Sequence, residues 1–244
     1  MKFLLVLITH ERLAYTKRTL RAIWDTIGDD TEYFLTVVDN ASTDGTQDYL
    51  KKLQQRGRIN GLILNDENLY PGEACNRGWE TGLKIFDADL LVRLDNDMSL
   101  VRGWDKRVVE YFKAIPELGQ LGLDHEAIEH PSADLRRRTI NGLTINEWPG
   151  CVGGPSVIRR KLWEDGIRWP DLRWNDERNS AAQEDSAFSK SIMDKGFLVG
   201  HAQEELGRTF ANKSNWADFP SYYEKTMSDR GYQENANYIK ELKK

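Results

Sequence analysis

An α/β fold with a mostly parallel central sheet flanked by helices is what this 244-residue chain predicts, and three observations carry it. Short apolar runs alternate with segments of helical spacing along the first hundred residues, the order that builds parallel sheets through crossover helices. The runs end in turn-forming and acidic residues, which such a sheet gathers outside the carboxyl ends of its strands. A composition of 39% hydrophobic and 30% charged residues belongs to a globular protein with a sizeable core.

The first strand is the unbroken run Phe3-Leu4-Leu5-Val6-Leu7-Ile8. Leu20, Ile23, Trp24 and Ile27 then share one face of a helix from about Tyr15 to Ile27. Tyr33 to Val38 is the second strand, and Asp39-Asn40-Ala41-Ser42-Thr43-Asp44-Gly45 is turn chemistry throughout, after which Thr46 opens a helix toward Arg56. Leu62-Ile63-Leu64 is the third strand, followed by a loop through Asn68 and Pro71-Gly72 and a helix from about Glu73 to Phe86. Leu90 to Leu94 is the fourth strand. A helix from about Trp104 to Ala114 precedes a less regular stretch with Pro131, Pro149, Pro155 and Pro170. Trp148, Trp163, Trp169 and Trp174 lie there, where loops and short strands are expected to shape a pocket; Trp faces suit stacking on sugar rings, although filling a core is their commoner use. Helical spacing returns from Ala181 to Lys195, with Ala187, Phe188, Ile192 and Met193 on the apolar face. The polar and aromatic tail from about Trp216 to Lys244 predicts one or two surface helices.

Thr9, Asp39, Asn68, Asp95 and Asp97 all fall just past a strand end and should converge on one rim. Asp95 and Asp97, two residues apart after the run Leu90-Leu91-Val92, are hard oxygen ligands that can hold a divalent cation against a diphosphate; an ordinary Asp-rich turn is the competing reading. No Gly-x-Gly-x-x-Gly follows the first strand and no Gly-Lys-Ser/Thr loop exists, so phosphates need another counter-charge. Cys75 and Cys151 are too few for a disulfide framework or a zinc site and read as packing residues in a reducing compartment. No apolar stretch reaches 18 residues and the N-terminal run is too short for a secretory signal, so a cytoplasmic protein with at most peripheral membrane contact is expected. A net charge of -5 gives no general field for nucleic acid, and Arg136-Arg137-Arg138 reads as a solvated loop, with an acidic acceptor or phosphate as its rarer partner.

Four segments together resemble the family 2 glycosyltransferases, which have the GT-A fold: Ile8-Thr9-His10-Glu11-Arg12, Val37-Val38-Asp39-Asn40-Ala41-Ser42-Thr43-Asp44-Gly45-Thr46, Asn68 through Asn76 to Gly78, and Leu94-Asp95-Asn96-Asp97. The second is the most specific of them. Gly153-Gly154-Pro155-Ser156-Val157-Ile158-Arg159-Arg160 resembles the family's glycine-bearing acceptor segment, and Glu184-Asp185 its acidic pair before a helix, so the resemblance runs from about Lys2 to Gly200.

The resemblance implies a GT-A domain over 1–215, with a nucleotide-sugar-binding half (1–100) and an acceptor-binding half (101–215), and a C-terminal helical extension over 216–244. It places Thr9, Glu11 and Arg12 around the base of a donor, a UDP-sugar first of all, with Asp39 on the uracil or ribose. It puts Asn68 and Asn76 in the donor pocket and Arg77 near a phosphate or the ribose. Asp95 and Asn96 would face the nucleotide sugar, and Asp95, Asp97 and His201 would bind Mn2+ or Mg2+, with Asp97 the direct ligand. Trp148, Gly153 and Gly154 would border a glycan or other hydroxyl acceptor, and Asp185, with Glu184 second, would be the base of an inverting transfer. Local chemistry offers alternatives: Asp39 as turn former or cap, Glu11 and Arg12 as a surface ion pair, Glu184 and Asp185 as acids favoured in a first helical turn. His10 and Glu11 stand where Tyr-Asn is usual in the family, which leaves the base open. An inactive nucleotide-sugar-binding relative and a nucleotidyltransferase are the rival readings; the second would want a basic glycine-rich loop where Thr9-His10-Glu11-Arg12 stands.

Overall fold

The computed structural model describes residues 1–125, 129, 136–147, 152–171, 181–211, 213–229 and 232–242. Its first half repeats one unit: β1 (Phe3–Thr9), α1 (Leu13–Thr26), β2 (Tyr33–Asn40), α2 (Thr46–Gln55), β3 (Gly61–Asn65), α3 (Tyr70–Leu83) and β4 (Leu90–Asp95). β1 is buried along its whole length because helices cover both faces, which is why its sequence is continuously apolar rather than alternating. β2, β1 and β4 are parallel, and Ile8 stands opposite both Val38 and Asp95, so the three strand ends lie side by side. The helix after β3 begins at Tyr70, earlier than its apolar spacing predicts, with Pro71 and Gly72 in its first turn. Proline fits there because a first-turn N–H has no helical acceptor to lose. Gly78 and Gly82 bring α3 down onto β1: a Cβ at either would stand 2.6 Å from Val6 or 2.5 Å from Leu4.

The second half is less regular. β5 (Met98–Leu100), α4 (Trp104–Ala114), β6 (Leu118–Gly122), β7 (Arg136–Ile140), β8 (Leu143–Glu147), β9 (Ser156–Arg159), α5 (Arg160–Glu164), α6 (Ala181–Met193), β10 (Leu198–Ala202) and β11 (Gly207–Thr209) follow in order. A 3-10 turn (Lys213–Asp218), α7 (Pro220–Asp229) and α8 (Gln233–Glu241) close the chain. Among the described residues the main sheet has nine strands in the order β3-β2-β1-β4-β9-β6-β10-β8-β7, with β9 running antiparallel between β4 and β6. β5 pairs with β11 in a separate ribbon directly after the Asp95-Asn96-Asp97 turn.

One apolar layer joins Leu5 and Leu7 to α1, α2 and α4; the other joins Leu4, Val6 and Ile8 to α3, α5 and α6. Trp163 and Trp169 belong to the second layer, where Trp169 stacks on Phe188 at 3.7 Å. They are packing residues rather than sugar platforms, because their faces are already covered. Trp148, Trp174 and Cys151 lie outside the described residues, and Cys75 is buried with its thiol pushed up by burial. Arg136-Arg137-Arg138 is not a loop but the exposed edge strand β7, paired to β8, with Arg138 on Glu147 at 2.7 Å. Edge strands tolerate such a run because backbone pairing needs only the inner side and charge deters further pairing. A third, smaller cluster ties Tyr15 to Phe210, Trp216, Tyr223 and Ile239, so the tail is anchored to α1. Among the described residues no helix is long and apolar enough to cross a membrane.

Candidate active site

The rim is built from tight turns that their own side chains hold. Asp39 is fully buried; its carboxylate accepts from the hydroxyls of Thr9 and Ser42 at 2.8 and 2.6 Å, the Ser42 amide at 2.9 Å and Gln47 Nε2 at 3.0 Å. Asp44 caps two helices at once, accepting the Leu13 amide at 2.7 Å and the Thr46 amide at 3.1 Å. Glu11 and Arg12 both have left-handed backbone, and the Glu11 carboxylate accepts from the Thr43 amide and hydroxyl. Non-glycine residues rarely adopt that conformation, and here it throws the Arg12 side chain across the sheet ends instead of along α1.

Arg12 is 8% exposed and organises one side of the rim. Its Nη1 donates to Asp97 at 2.8 Å and to the Tyr223 hydroxyl at 3.0 Å, and Nη2 donates to Asn96 at 2.5 Å. Tyr222 lies over the guanidinium at 4.5 Å. Burial opposes the charge, but the two tyrosines and Asp97 outweigh it and keep the guanidinium protonated. Asn96 in turn donates to the Glu11 carbonyl and the Thr16 hydroxyl, and the Asp97 carbonyl accepts from Phe210 N, so the acidic turn is fixed at several points.

Arg93, inside β4 and 3% exposed, organises the other side. Its Nε donates to Asp95 at 3.3 Å, Nη1 donates to Glu184 at 3.0 Å, and the same nitrogen lies 3.8 Å from Asp185. Trp169 covers the guanidinium at 4.2 Å. Gly154 must be glycine, since a Cβ would stand 2.4 Å from Arg93 Nη2. Burial raises the pKa of Asp95 and Glu184, against the pull of Arg93. Sequence reasoning missed Arg93 as a site residue, although a lone arginine in Leu90-Leu91-Val92-Arg93-Leu94 is the signal: a charge in a buried strand needs partners.

Both centres open on one cavity of about 170 Å³ lined by Arg12, Arg93, Asp95, Asn96, Asp97 and Asp185, among others. An adjoining cleft of about 860 Å³ runs past Glu11, Thr43 and Asp44, and His10, Arg12, Asn68, Tyr70 and Tyr222 line both. The structure therefore brings Glu11, Arg12, Asn68, Asp95, Asn96, Asp97 and Asp185 together. It places the others elsewhere. Thr9 and Asp39 lie buried beneath the rim as a turn lock. Asn76 clamps the Trp169 backbone, and Arg77 rests on Glu73 and Asn65. Glu184 is buried on Arg93 outside the cavity, and Gly153 is a left-handed turn residue. Trp148 lies outside the described residues. His201 is 2% exposed on β10; through Gly122 and Ser156 it is in register with Arg93, three strands away, about 14 Å at normal strand spacing. The fold does not bring it to Asp95 and Asp97. Site residues absent from the sequence reading include Tyr70, Arg93, Tyr222 and Tyr223.

Asp95 and Asp97 suit a divalent cation that completes its shell from a ligand. Each carboxylate commits one oxygen to an arginine, and among the described residues no hydrogen bond reaches Asp95 Oδ2 or Asp97 Oδ1. No three Asp, Glu, His or Cys side chains form a closed cage among the described residues, so water and a ligand's oxygens would have to complete the shell of a cation held by Asp95 and Asp97.

The fold has counterparts among solved structures. Sequence comparison with curated proteins returns no match. In fold the chain is similar to S. aureus TarS 1-349 (TM-score 0.62, 16% identity, 94% of this chain, 65% of that one). It is similar also to the mannosyltransferase PcManGT from Pyrobaculum calidifontis in complex with GDP-Man and Mn2+ (TM-score 0.62, 16% identity, 94% and 62%). GalNAc-T7 with UDP, GalNAc and Mn2+ gives a TM-score of 0.61 at 13% identity, over 83% of this chain and 42% of that one. The chain thus spans less than two thirds of each of these relatives, and the likeness establishes the GT-A fold. The family model described as Glycosyl transferase family 2 matches residues 4–166, from the first strand to just beyond the helix after β9, and the chain belongs to that family.

Proposed function

We propose that this chain transfers a sugar from a nucleoside-diphosphate donor to a hydroxyl group of a glycan or other acceptor, by single displacement with inversion. The observation that carries the reading is one cavity into which Asp95, Asp97 and Asp185 open beside two buried guanidinium groups. Relatives of the same fold hold GDP-Man with Mn2+, and UDP with GalNAc and Mn2+. Asp95 and Asp97 would hold the cation, which when bound supplies Lewis-acid stabilisation of the charge on a departing diphosphate. Arg12, fixed by Tyr223 and Asp97, adds a permanent positive charge at the neck between the two chambers.

Asp185 is the better-placed base of the acidic pair, because it lines the cavity while Glu184 is buried. Its role is to take the proton of the acceptor hydroxyl as that oxygen attacks the anomeric carbon and the diphosphate leaves from the opposite face. Glu184 contributes by holding Arg93, which fixes Asp95 and stands 3.8 Å from Asp185. Calorimetry with UDP, with and without Mn2+, followed by donor-turnover assays with UDP- and GDP-sugars, tests the reading. Asp185→Asn should lower turnover by roughly 10²–10⁴-fold while UDP still binds. Turnover at the parent rate would remove Asp185 as base, and metal-dependent binding with no turnover on any acceptor or water would favour the inactive-relative reading.

A further inference from the structure

We propose that helix α7, the first α-helix of the C-terminal tail, forms one wall of the donor site, with Tyr222 seated at the nucleoside-to-diphosphate junction of a bound nucleotide sugar and Lys225 facing its nucleoside end. The proposal rests on the donor reading above and extends it to a segment beyond the residues matched by the family, 4–166. Two unlike surfaces make the larger cleft. The loops after β1 and β2 contribute Glu11, Thr43 and Asp44 to one side, and the stretch from Asp218 to Thr226 supplies the other. At about 860 Å³ the cleft has the size of a site that buries most of a small ligand. Among the described residues of the tail, Tyr222 alone lines the inner cavity as well, so a ligand reaching from the cleft to Asp95 and Asp97 passes beneath its ring.

The chemistry at that neck suits a nucleoside diphosphate. Tyr222 and His10 approach at 6.2 Å with their planes inclined by 57°, offering aromatic faces to a base or ribose. Arg12 supplies the anion contact. It is more than nine-tenths buried, lines both chambers, and its Nε has no hydrogen-bond acceptor among the described residues. A buried guanidinium N–H without an acceptor is rare, and a diphosphate oxygen is the acceptor such a donor calls for. The acids of the cleft are already engaged: Glu11 accepts from Thr43, Asp44 caps two helices, and Asp218 accepts from Tyr15 at 2.9 Å. Lys225 is exposed on the cleft wall and meets none of these acids in an ion pair, and its ammonium is a donor for the carbonyl and hydroxyl oxygens of a base or ribose.

Calorimetry of the full chain with UDP, GDP and uridine in Mn2+ buffer tests this. Tyr222→Ala should weaken the tighter nucleotide at least tenfold, and Tyr222→Phe, which keeps the ring, should stay within threefold. Lys225→Ala, at an exposed position, should weaken binding three- to tenfold with an unchanged melting temperature. Equal binding, within twofold, by parent, Tyr222→Ala and Lys225→Ala would overturn the proposal while leaving the donor reading intact. Failure of the parent itself to bind any of the three would bring down the donor reading, and the proposal with it.

Discussion

The two arginines of the site, Arg12 and Arg93, are buried to nearly the same degree and stabilised by opposite means. Arg93 projects from a central strand into three carboxylates, Asp95, Glu184 and Asp185, with one indole face above it. Arg12 projects from a left-handed loop against one carboxylate, an amide oxygen and tyrosine rings. The first is over-supplied with negative charge and has every reason to stay where it is. The second has a spare donor and a soft aromatic bed, the arrangement of a cation that still has an anion to meet. Rigidity around Arg93 and readiness around Arg12 are thus written into the partners of two chemically identical groups.

Arg93→Met should show the difference most strongly: stranding Glu184 and Asp95 without a cation costs about 3–5 kcal/mol, read from urea unfolding, and donor affinity falls with stability. A third buried ionisable group, His201, answers burial differently, by staying neutral. Its pKa is pushed down from 6.5 to about 4, so the unfolded chain takes up the proton first and stability drains away as pH falls through that window. The loss should reach about 3 kcal/mol, and His201→Leu should flatten this part of the pH–stability curve while Mn2+-dependent UDP binding persists. Arg12→Met should cost stability about 2 kcal/mol, less than Arg93→Met, because Asp97 can turn to water, yet it should weaken UDP binding more. Equal stability losses at the two arginines would break the comparison. Tyr223→Phe, removing one hydrogen bond to Arg12, should cost about 1 kcal/mol and leave the Arg93 side untouched.

Much of this arrangement was legible along the chain. The four strands ending at Thr9, Asn40, Asn65 and Asp95 alternate with helices whose apolar spacing is local, so periodicity locates them within a few residues. The acidic turn and Asp185 were named from the sequence, and all three carboxylates line the inner cavity. What stayed hidden depends on partners far away in sequence. Asp39 was readable as a nucleotide contact or a turn former, and only the folded chain shows Thr9, Ser42 and Gln47 closing on it. Trp169 could have offered a sugar platform until Phe188 and Arg93 took its two faces. Tyr222 and Tyr223 sit in an unremarkable polar tail, and their meeting with Arg12 spans more than 200 residues. His201 had the chemistry of a ligand, but strand register keeps it three strands from the acids.

The antiparallel strand β9, wedged between β4 and β6, has a consequence for how the molecule is made. During synthesis β1 to β4 emerge in order and can pair as a parallel half-sheet, but the far edge of β4 gains its neighbour only when Ser156–Arg159 has left the ribosome. Until then Leu90 to Arg93 offer an open, mostly apolar edge, a surface on which unfinished chains can cross-pair. Arg93 sits on that edge and lacks Glu184 for longer still. Its charge, which three carboxylates surround in the finished fold, would during that interval act as a gatekeeper that discourages nascent chains from sticking to one another.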